Sequence, residues 1–353
     1  MNIFLTGFPG FLGSELLPRL LSRDRIDFAI CLVQPRFAAL ARERLAGIAA
    51  AHPTLDGRVR IVEGDITAPI QLDTTNIAAI YHLAAVYDLA VQRDVGMRVN
   101  VEGTRHVLDF AERCHGFRRF HYVSTCYVSG RYPGVFAEGD LEVGQRFNNF
   151  YEETKYLAEV EVRKRMRGGM PATIYRPSVV VGDSVSGATQ KYDGPYFVMQ
   201  WLLRQSRLAF LPVAGNPRRY HFNVVPRDFI INAMERISGL DESLGRTYHL
   251  ADPDPLTVDE TIDVIARAAD RRVLRIPMPA TLAKASLRSV PGVYNLMRIP
   301  PEAVDYFVQP TEYDTTNAQR DLGHVTVPRF ARYLPRLIEF FLAHPEIGSA
   351  AMA

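Results

Sequence analysis

Residues 2–13 constrain this chain more than any other stretch. Asn2–Thr6 is apolar enough for a buried strand and runs straight into Gly7, Gly10 and Gly13 in a GxxGxxG spacing, with an amphipathic helical pattern over Phe11–Arg23. A glycine has no Cβ, so a pyrophosphate can approach its backbone closely. The helix that follows offers free N–H groups and the positive end of its dipole. Three glycines alone read equally well as a turn. Strand, glycines and helix in that order make the segment a dinucleotide cradle, built from Thr6, Gly7, Pro9, Gly10, Phe11, Leu12 and Gly13.

The pattern then repeats. Strands are expected at Asp27–Val33, Arg58–Glu63, Ile77–His82, Arg119–Ser124 and Ala172–Tyr175, with helices at Phe37–Ala50, Arg98–Cys114 and Tyr151–Arg167. Strands separated by helices imply βαβ units, hence an α/β fold with a doubly wound parallel (Rossmann) sheet. After Arg176 the alternation loosens. Residues 182–194 read as a loop, Tyr196–Leu208 as a helix, Val258–Ala269 as a helix opened by a Thr257/Glu260 capping box, Arg272–Ile276 as a strand and Phe330–Ala343 as a closing helix. The expected division is a nucleotide-binding domain over 1–183, with about 223–250 and part of 316–345. A smaller, mostly helical C-terminal substrate lobe is expected over about 184–222 and 251–315.

Composition removes several classes. Lysine and arginine number 41 against 39 acidic residues, so the net charge of +2 gives no electrostatic case for nucleic-acid binding. No run of about 18 apolar residues occurs, so no transmembrane helix is expected, although weak membrane contact stays open. The amino terminus has no signal-peptide pattern. Cys31, Cys114 and Cys126 form no CxxC pair and are odd in number, which points to a reducing cytoplasm. No HExxH or zinc spacing, no GxSxG elbow and no P-loop is present, so no metal is expected. His82 and His121 read as satisfied core or pocket histidines.

Cofactor type turns on the end of the second strand. A carboxylate there takes the ribose 2′-OH of NAD. Here Val33 is followed by Gln34, Pro35 and Arg36, with no acid. Arg36 would attract a 2′-phosphate, which favours NADPH and leaves NAD as the alternative, and Gln34 suits the ribose in either case. The plain reading of Arg36 is the start of a solvated helix. Asp65 reads either as the acceptor of the adenine amino group, with Ile66 packed on the ring, or as a plain turn aspartate. Ala84 and Ala85 are small enough for the ribose to lie on the backbone.

Tyr151 and Lys155 are four apart at the start of a helix and share a face. A phenol becomes an acid–base group when a cation stabilises its phenolate; Lys155, one turn on, does this and can also hold the nicotinamide ribose, so Tyr151 and Lys155 count among the cofactor-binding residues too. Thr125, after the fifth strand, supplies a hydroxyl for the substrate oxygen, with Ser124 as the lesser choice. Asn100 is a candidate to fix a helix kink and a water near the lysine, or else a polar surface residue.

Taken together, Thr6–Gly13, His82–Ala85, Asn100, Ser124, Thr125 and Tyr151–Lys155 resemble the extended short-chain dehydrogenase/reductase superfamily over most of the chain. Residues 31–33, 63–67, 123–128, 174–178 and 223–228 narrow the likeness. They are similar to the fatty acyl-CoA reductases and to the thioester-reductase domains of carboxylic acid reductases and peptide synthetases. The resemblance implies an NADPH-dependent reduction of a thioester to an aldehyde, or onward to an alcohol. It also implies cofactor contacts from Arg176, Pro177 and Ser178. Gln34 departs from the arginine often found at that place. The sequence contains no adenylation or carrier domain, so the expected partner is an acyl-CoA or an acyl group on a separate carrier protein. The chain itself would be a monomer or homodimer.

Two other readings stay open: a nucleotide-sugar epimerase, dehydratase or hydroxysteroid-type dehydrogenase using the same three side chains, and a non-catalytic dinucleotide sensor. Within the lobe, Tyr196–Leu208 (with Gln200, Trp201, Arg204 and Arg207) and Thr281–Met297 (with Leu282, Lys284, Leu287, Arg288 and Leu296) are expected to flank the cleft. Their apolar residues would hold an acyl chain and their basic residues would meet phosphates. The blander reading is a dimer interface or core closure.

Overall fold

A computed structural model describes residues 1–23, 25–289 and 300–348, without the side chains of residues 288 and 289. The nucleotide-binding half is ordered as β1 (Asn2–Thr6), α1 (Gly13–Leu21), β2 (Phe28–Val33), α2 (Ala38–Ala51), β3 (Val59–Glu63) and β4 (Ile77–His82). It continues with α3 (Arg93–Gly96), α4 (Gly103–Arg113), β5 (Arg119–Val123), β6 (Gly134–Phe136), α5 (Phe150–Arg167), β7 (Ala172–Pro177) and β8 (Val179–Val181). Then come α6 (Pro195–Leu203), β9 (Leu208–Ala214), β10 (Val224–Pro226), α7 (Arg227–Ser238), β11 (Thr247–Leu250), α8 (Val258–Ala268), β12 (Arg272–Met278), α9 (Ala280–Ser289) and β13 (Thr311–Tyr313). Two more helices, Thr316–Leu322 and Phe330–Ala343, follow.

Among the described residues, seven parallel strands form the main sheet in the order β11-β7-β5-β4-β1-β2-β3. The order reverses between β1 and β4, and ligands of such sheets bind at that switch point, beyond the carboxyl ends of the strands. The central strands are apolar on both faces: β4 is buried at every position and β1 at all but the first. One face packs Leu16, Leu17 and Leu20 of α1 with Phe229, Ile230 and Met234 of α7. The other packs Val107, Leu108 and Phe110 of α4 with Ala158 and Val162 of α5.

Local chemistry sets several boundaries. The Thr257/Glu260 box is formed in both directions, Glu260 N–H donating to Thr257 Oγ1 at 3.1 Å and Thr257 N–H to Glu260 Oε2 at 2.8 Å. Helix α1 begins two residues later than expected, at Gly13, because the glycine turn occupies Phe11 and Leu12. The helix expected to run to Leu208 stops at Leu203. Gln205 then pairs with Phe210 in both directions, its Oε1 accepting from the backbone N–H at 2.9 Å and its Nε2 donating to the carbonyl at 3.1 Å. Leu208–Leu211 alternate exposed and buried, the period of a strand, and β9 pairs in parallel with β12.

No helix among the described residues is long and apolar enough to cross a membrane. No cluster among them suits a metal ion.

Candidate active site

The ends of β1 and β4 are tied by one hydroxyl. Thr6 Oγ1 lies 2.7 Å from His82 Nδ1 and accepts the Ala84 N–H at 3.2 Å. His82 Nε2 is 3.0 Å from Thr104 Oγ1. Burial holds His82 down at about 3, with the Lys155 charge adding to the effect, so it is a neutral core residue. Gly7 has φ +92°, and a Cβ there would meet the Leu83 carbonyl carbon at 2.8 Å and the Ala84 nitrogen at 2.9 Å. Cβ atoms on Gly10 and Gly13 would strike the Gly7 oxygen at 2.7 and 2.4 Å. Leu12, at the start of α1, provides no side-chain cap. The helix end that faces the switch point is therefore left for an anion, and the cradle fits a dinucleotide pyrophosphate.

Beyond the end of β2, Arg36 Nε donates to Gln34 Oε1 at 2.9 Å and Gln34 Nε2 donates to Asp65 Oδ2 at 2.9 Å. The other Asp65 oxygen accepts the Thr67 N–H at 2.9 Å. Ile66 is buried against Gly103, where a Cβ would meet its Cδ1 at 2.8 Å. Ala84 and Ala85 are half-buried at the strand end.

The three side chains expected to handle the proton come from two places, the end of β5 and the first two turns of α5. Thr125 follows β5 and is buried; its Oγ1 accepts the Tyr127 N–H at 3.3 Å and donates to the Pro177 carbonyl at 3.4 Å. Tyr151, in the first turn of α5, is buried, and burial pushes its phenol well above the usual range; the hydrogen bond with Thr125 acts in the opposite direction. One turn on, Lys155 Nζ donates to Val123 O at 2.8 Å and to Tyr122 Oη at 3.0 Å. Burial lowers this amine to about 7, and the Glu159 carboxylate opposes the shift. Asn149 caps α5 by accepting the Glu152 N–H at 3.0 Å, which fixes the turn that carries Tyr151.

Asn100 lies within a π-helical stretch, Met97–Glu102. Its Oδ1 accepts the Val86 N–H at 2.9 Å, and its Nδ2 donates to Val86 O at 3.3 Å and to Thr154 Oγ1 at 3.1 Å. The side chain joins the loop after β4 to α5. Among the described residues, the hydrogen bonds of its side chain go to Val86 and Thr154.

The sequence model of the family described as Male sterility protein matches residues 5–234. The chain belongs to that family. It is an NAD(P)-dependent oxidoreductase of the extended short-chain dehydrogenase/reductase type. A nonribosomal peptide synthetase of Aspergillus flavus is 26% identical over 285 residues, which are 74% of this chain and 27% of that protein. The chain thus spans about a quarter of that relative's length. Among solved structures, the terminal R domain from the myxalamid PKS-NRPS biosynthetic pathway superposes with a TM-score of 0.80 at 25% identity, covering 98% of this chain and 91% of that one. A thiolation-reductase di-domain from an archaeal non-ribosomal peptide synthetase has a TM-score of 0.74 at 19% identity, with 98% and 76% covered.

One expectation for this family member is corrected. Arg176 does not present its side chain to a cofactor. The guanidinium is fully buried and bonded to both oxygens of Glu159, to the Asp140 carbonyl at 2.6 Å and to His249 Nε2 at 3.0 Å. A buried cation needs a complete set of partners, and this one has them inside the core. The Pro177 carbonyl accepts from Thr125 Oγ1 at 3.4 Å, and the buried Ser178 Oγ has no hydrogen-bond partner among the described residues.

The lobe expectations divide. Trp201 is half-buried and donates to Phe210 O at 2.6 Å. Lys284 is paired with Asp305 at 2.6 Å and Arg207 with Asp270 at 3.1 Å, so neither is a free cation for phosphates. The Arg288 side chain, Leu296 and Met297 lie outside the described residues.

Several site residues were not singled out from sequence. Arg44 of α2 donates from Nη1 to the Pro9 carbonyl and to Ser14 Oγ, which sets its charge beside the glycine turn. Tyr87 stands edge-on to Tyr151 with ring centres 5.1 Å apart. Lys191 lies over the Tyr87 ring at 4.1 Å and pairs with the buried Asp193 at 3.3 Å. The Tyr306 ring meets that of Tyr127 at a tilt of 57°, with ring centres 4.2 Å apart. Each comes from a segment distant in sequence, so no local spacing marks it.

Proposed function

We propose that this chain is an NADPH-dependent reductase of acyl thioesters, acting on an acyl-CoA or a carrier-bound acyl group in the cytoplasm. The Thr125 hydroxyl against the Tyr151 phenol, with Lys155 one turn on along α5, carries this reading. The peptide synthetase relative and the reductase-domain neighbours favour a thioester over other carbonyl substrates. The cradle of Thr6, Gly7, Pro9, Gly10, Phe11, Leu12 and Gly13 holds the pyrophosphate, Gln34 and Asp65 the adenosine, Ile66 the adenine face, Ala84 and Ala85 the ribose, and Pro177 and Ser178 the nicotinamide end. Arg36 and Arg44 give the 2′-phosphate its counter-charge.

When bound, the reduced nicotinamide supplies a hydride. The chain's own residues do the rest. Thr125 donates a hydrogen bond to the thioester oxygen and orients the carbonyl. Tyr151 passes its phenolic proton to that oxygen as negative charge develops there. The Lys155 ammonium stabilises the phenolate left behind, and with an amine titrating at about 7 this support is present at and below neutral pH. The carbonyl carbon has then gained a hydride and its oxygen a proton. The resulting hemithioacetal breaks its C–S bond, giving aldehyde and free thiol; a second round would give the alcohol.

The test is incubation with NADPH and panels of acyl-CoAs, sugar nucleotides and sterols, following nicotinamide absorbance and thiol release together. Thiol release in step with NADPH loss is expected from the thioesters alone. Tyr151→Phe should cut kcat by about 10²–10⁴-fold with cofactor affinity retained. Turnover of sugar nucleotides or sterols without thiol release, or a Tyr151→Phe enzyme within a few-fold of wild type, overturns the reading.

A further inference from the structure

The lobe contains an apolar cavity of about 170 Å³, walled by α6, β9, α8, β12, α9 and a 3₁₀ stretch, Pro301–Val308. Val198, Leu211, Ile262, Leu287, Val304 and Phe307 are among its lining residues. Among the described lining residues the one side-chain hydroxyl is that of Ser286, which donates within its own helix to Leu282 O at 2.9 Å. A space of this size without free polar groups suits an apolar ligand: one of about 150 Å³ in an otherwise packed core takes up benzene.

The cavity is joined to the candidate active site by continuous apolar packing. Leu89, on the segment after β4, packs against the cluster that contains Tyr151 and also against the cluster of Phe197, Leu287 and Val304. Leu287 and Val304 are cavity wall. Two residues beyond Val304, Tyr306 lies over the Tyr127 ring, and Tyr127 is the second residue after Thr125. The Lys284–Asp305 ion pair at 2.6 Å pins α9 to the 3₁₀ stretch and so fixes the spacing of two walls.

We propose that this cavity binds the hydrocarbon end of the acyl group, with room for an apolar group of about six carbons. The proposal rests on the thioester-reductase reading. Each methylene that enters the cavity should raise kcat/KM about fourfold, the factor that corresponds to its transfer out of water. Carbons beyond the cavity should add nothing.

Two measurements test it separately from the reductase reading. The first is binding of benzene to the intact protein without cofactor or thioester, read as a rise in thermal midpoint. Wild type should be stabilised, and Ala283→Phe and Ser286→Leu, which fill the cavity from the half-exposed helix α9, should not; circular dichroism checks that both are folded. The second is kcat/KM for the CoA thioesters from acetyl to myristoyl. Wild type should climb and then level off, and Ala283→Phe should level off at shorter chains with acetyl-CoA unchanged. If wild type does not bind benzene, or if thioesters are reduced with a flat length profile in both proteins, the cavity is not the acyl site although the reductase reading stands. If every thioester is inert, acetyl-CoA included, the reductase reading falls and takes the acyl assignment with it, whatever benzene does.

Discussion

Glu159 and Arg176 are both closed off from solvent and joined by two bonds, Nη2 to Oε1 at 2.6 Å and Nε to Oε2 at 3.1 Å. The same carboxylate accepts Ser124 Oγ at 2.6 Å. One side chain thus ties the end of β5, the last part of β7 and the helix that carries Tyr151 and Lys155. Burial opposes its charge, but Arg176, Arg163 and Ser124 bring Glu159 down to about 2. Its contribution to stability is present above the ordinary carboxylate value of 4.5 and is lost as pH falls through about 2.

Glu159→Gln leaves the Arg176 charge buried without its partner. Removing one member of such a pair costs about 3–5 kcal/mol. Urea unfolding at neutral pH should show a loss of that size, and cofactor affinity of the folded fraction should stay close to wild type. An Arg176→Met protein that keeps its stability but loses cofactor affinity would restore Arg176 as a cofactor ligand.

Lys155 gives a pH signature. Its amine titrates at about 7 in the folded protein because of burial, against an ordinary value of 10.5. Between those values the unfolded chain binds one more proton than the folded chain, so raising the pH favours folding. Lys155→Met has nothing to titrate there. The stability of wild type relative to Lys155→Met should therefore rise from about pH 7 toward pH 10, while turnover of wild type falls over the same range as the ammonium is lost. A stability difference that does not change with pH would mean that the folded lysine titrates normally.

The sheet was legible because its signals are local. Asn2–Thr6, Ile77–His82 and Phe330–Ala343 have the bounds that hydrophobic periodicity suggests. The capping box at Thr257 marked the start of α8. Strands β8 and β10, three residues each, are too short to show a period. At β9 the apolar Leu208 extended a helical pattern that Gln205 in fact closes. Arg176 was misjudged because its partners, Glu159 and His249, meet it only when α5, β7 and β11 are packed. Tyr306 lies 155 positions beyond Tyr151, so only the tertiary structure brings it to the site.

Cofactor preference is expected to rest on two arginines. Arg36 is exposed and oriented by Gln34, and Arg44 is held against the glycine turn by Pro9 O and Ser14 Oγ. A charge-assisted hydrogen bond to phosphate contributes about 1.5–3 kcal/mol. NADPH should therefore bind more tightly than NADH, and Arg36→Ala and Arg44→Ala should each reduce the difference by about ten- to a hundredfold. Fluorescence titration of both cofactors measures it. Equal affinities in wild type, or full discrimination in both variants, would remove the 2′-phosphate from the argument.

Tyr306 is buried, with its ring 4.2 Å from that of Tyr127 and its hydroxyl without a hydrogen-bond partner among the described residues. Burial pushes its phenol far up, with the Glu152, Tyr87, Tyr127 and Tyr151 groups adding to the effect, so the oxygen stays protonated. A buried hydroxyl left unpaired costs the fold about 1–3 kcal/mol, whereas an apolar group of the same shape does not. Tyr306→Phe should accordingly be as stable as wild type or more so, by up to that amount, in urea unfolding. If the hydroxyl finds its partner on the substrate, the same change should lower kcat/KM by about fivefold, the loss of one neutral hydrogen bond of about 1 kcal/mol. Cofactor affinity should not move, because Tyr306 belongs to the lobe rather than to the sheet. Lower stability in Tyr306→Phe would mean that the hydroxyl has a structural partner, and unchanged kcat/KM across the acyl-CoA series would take it out of substrate recognition.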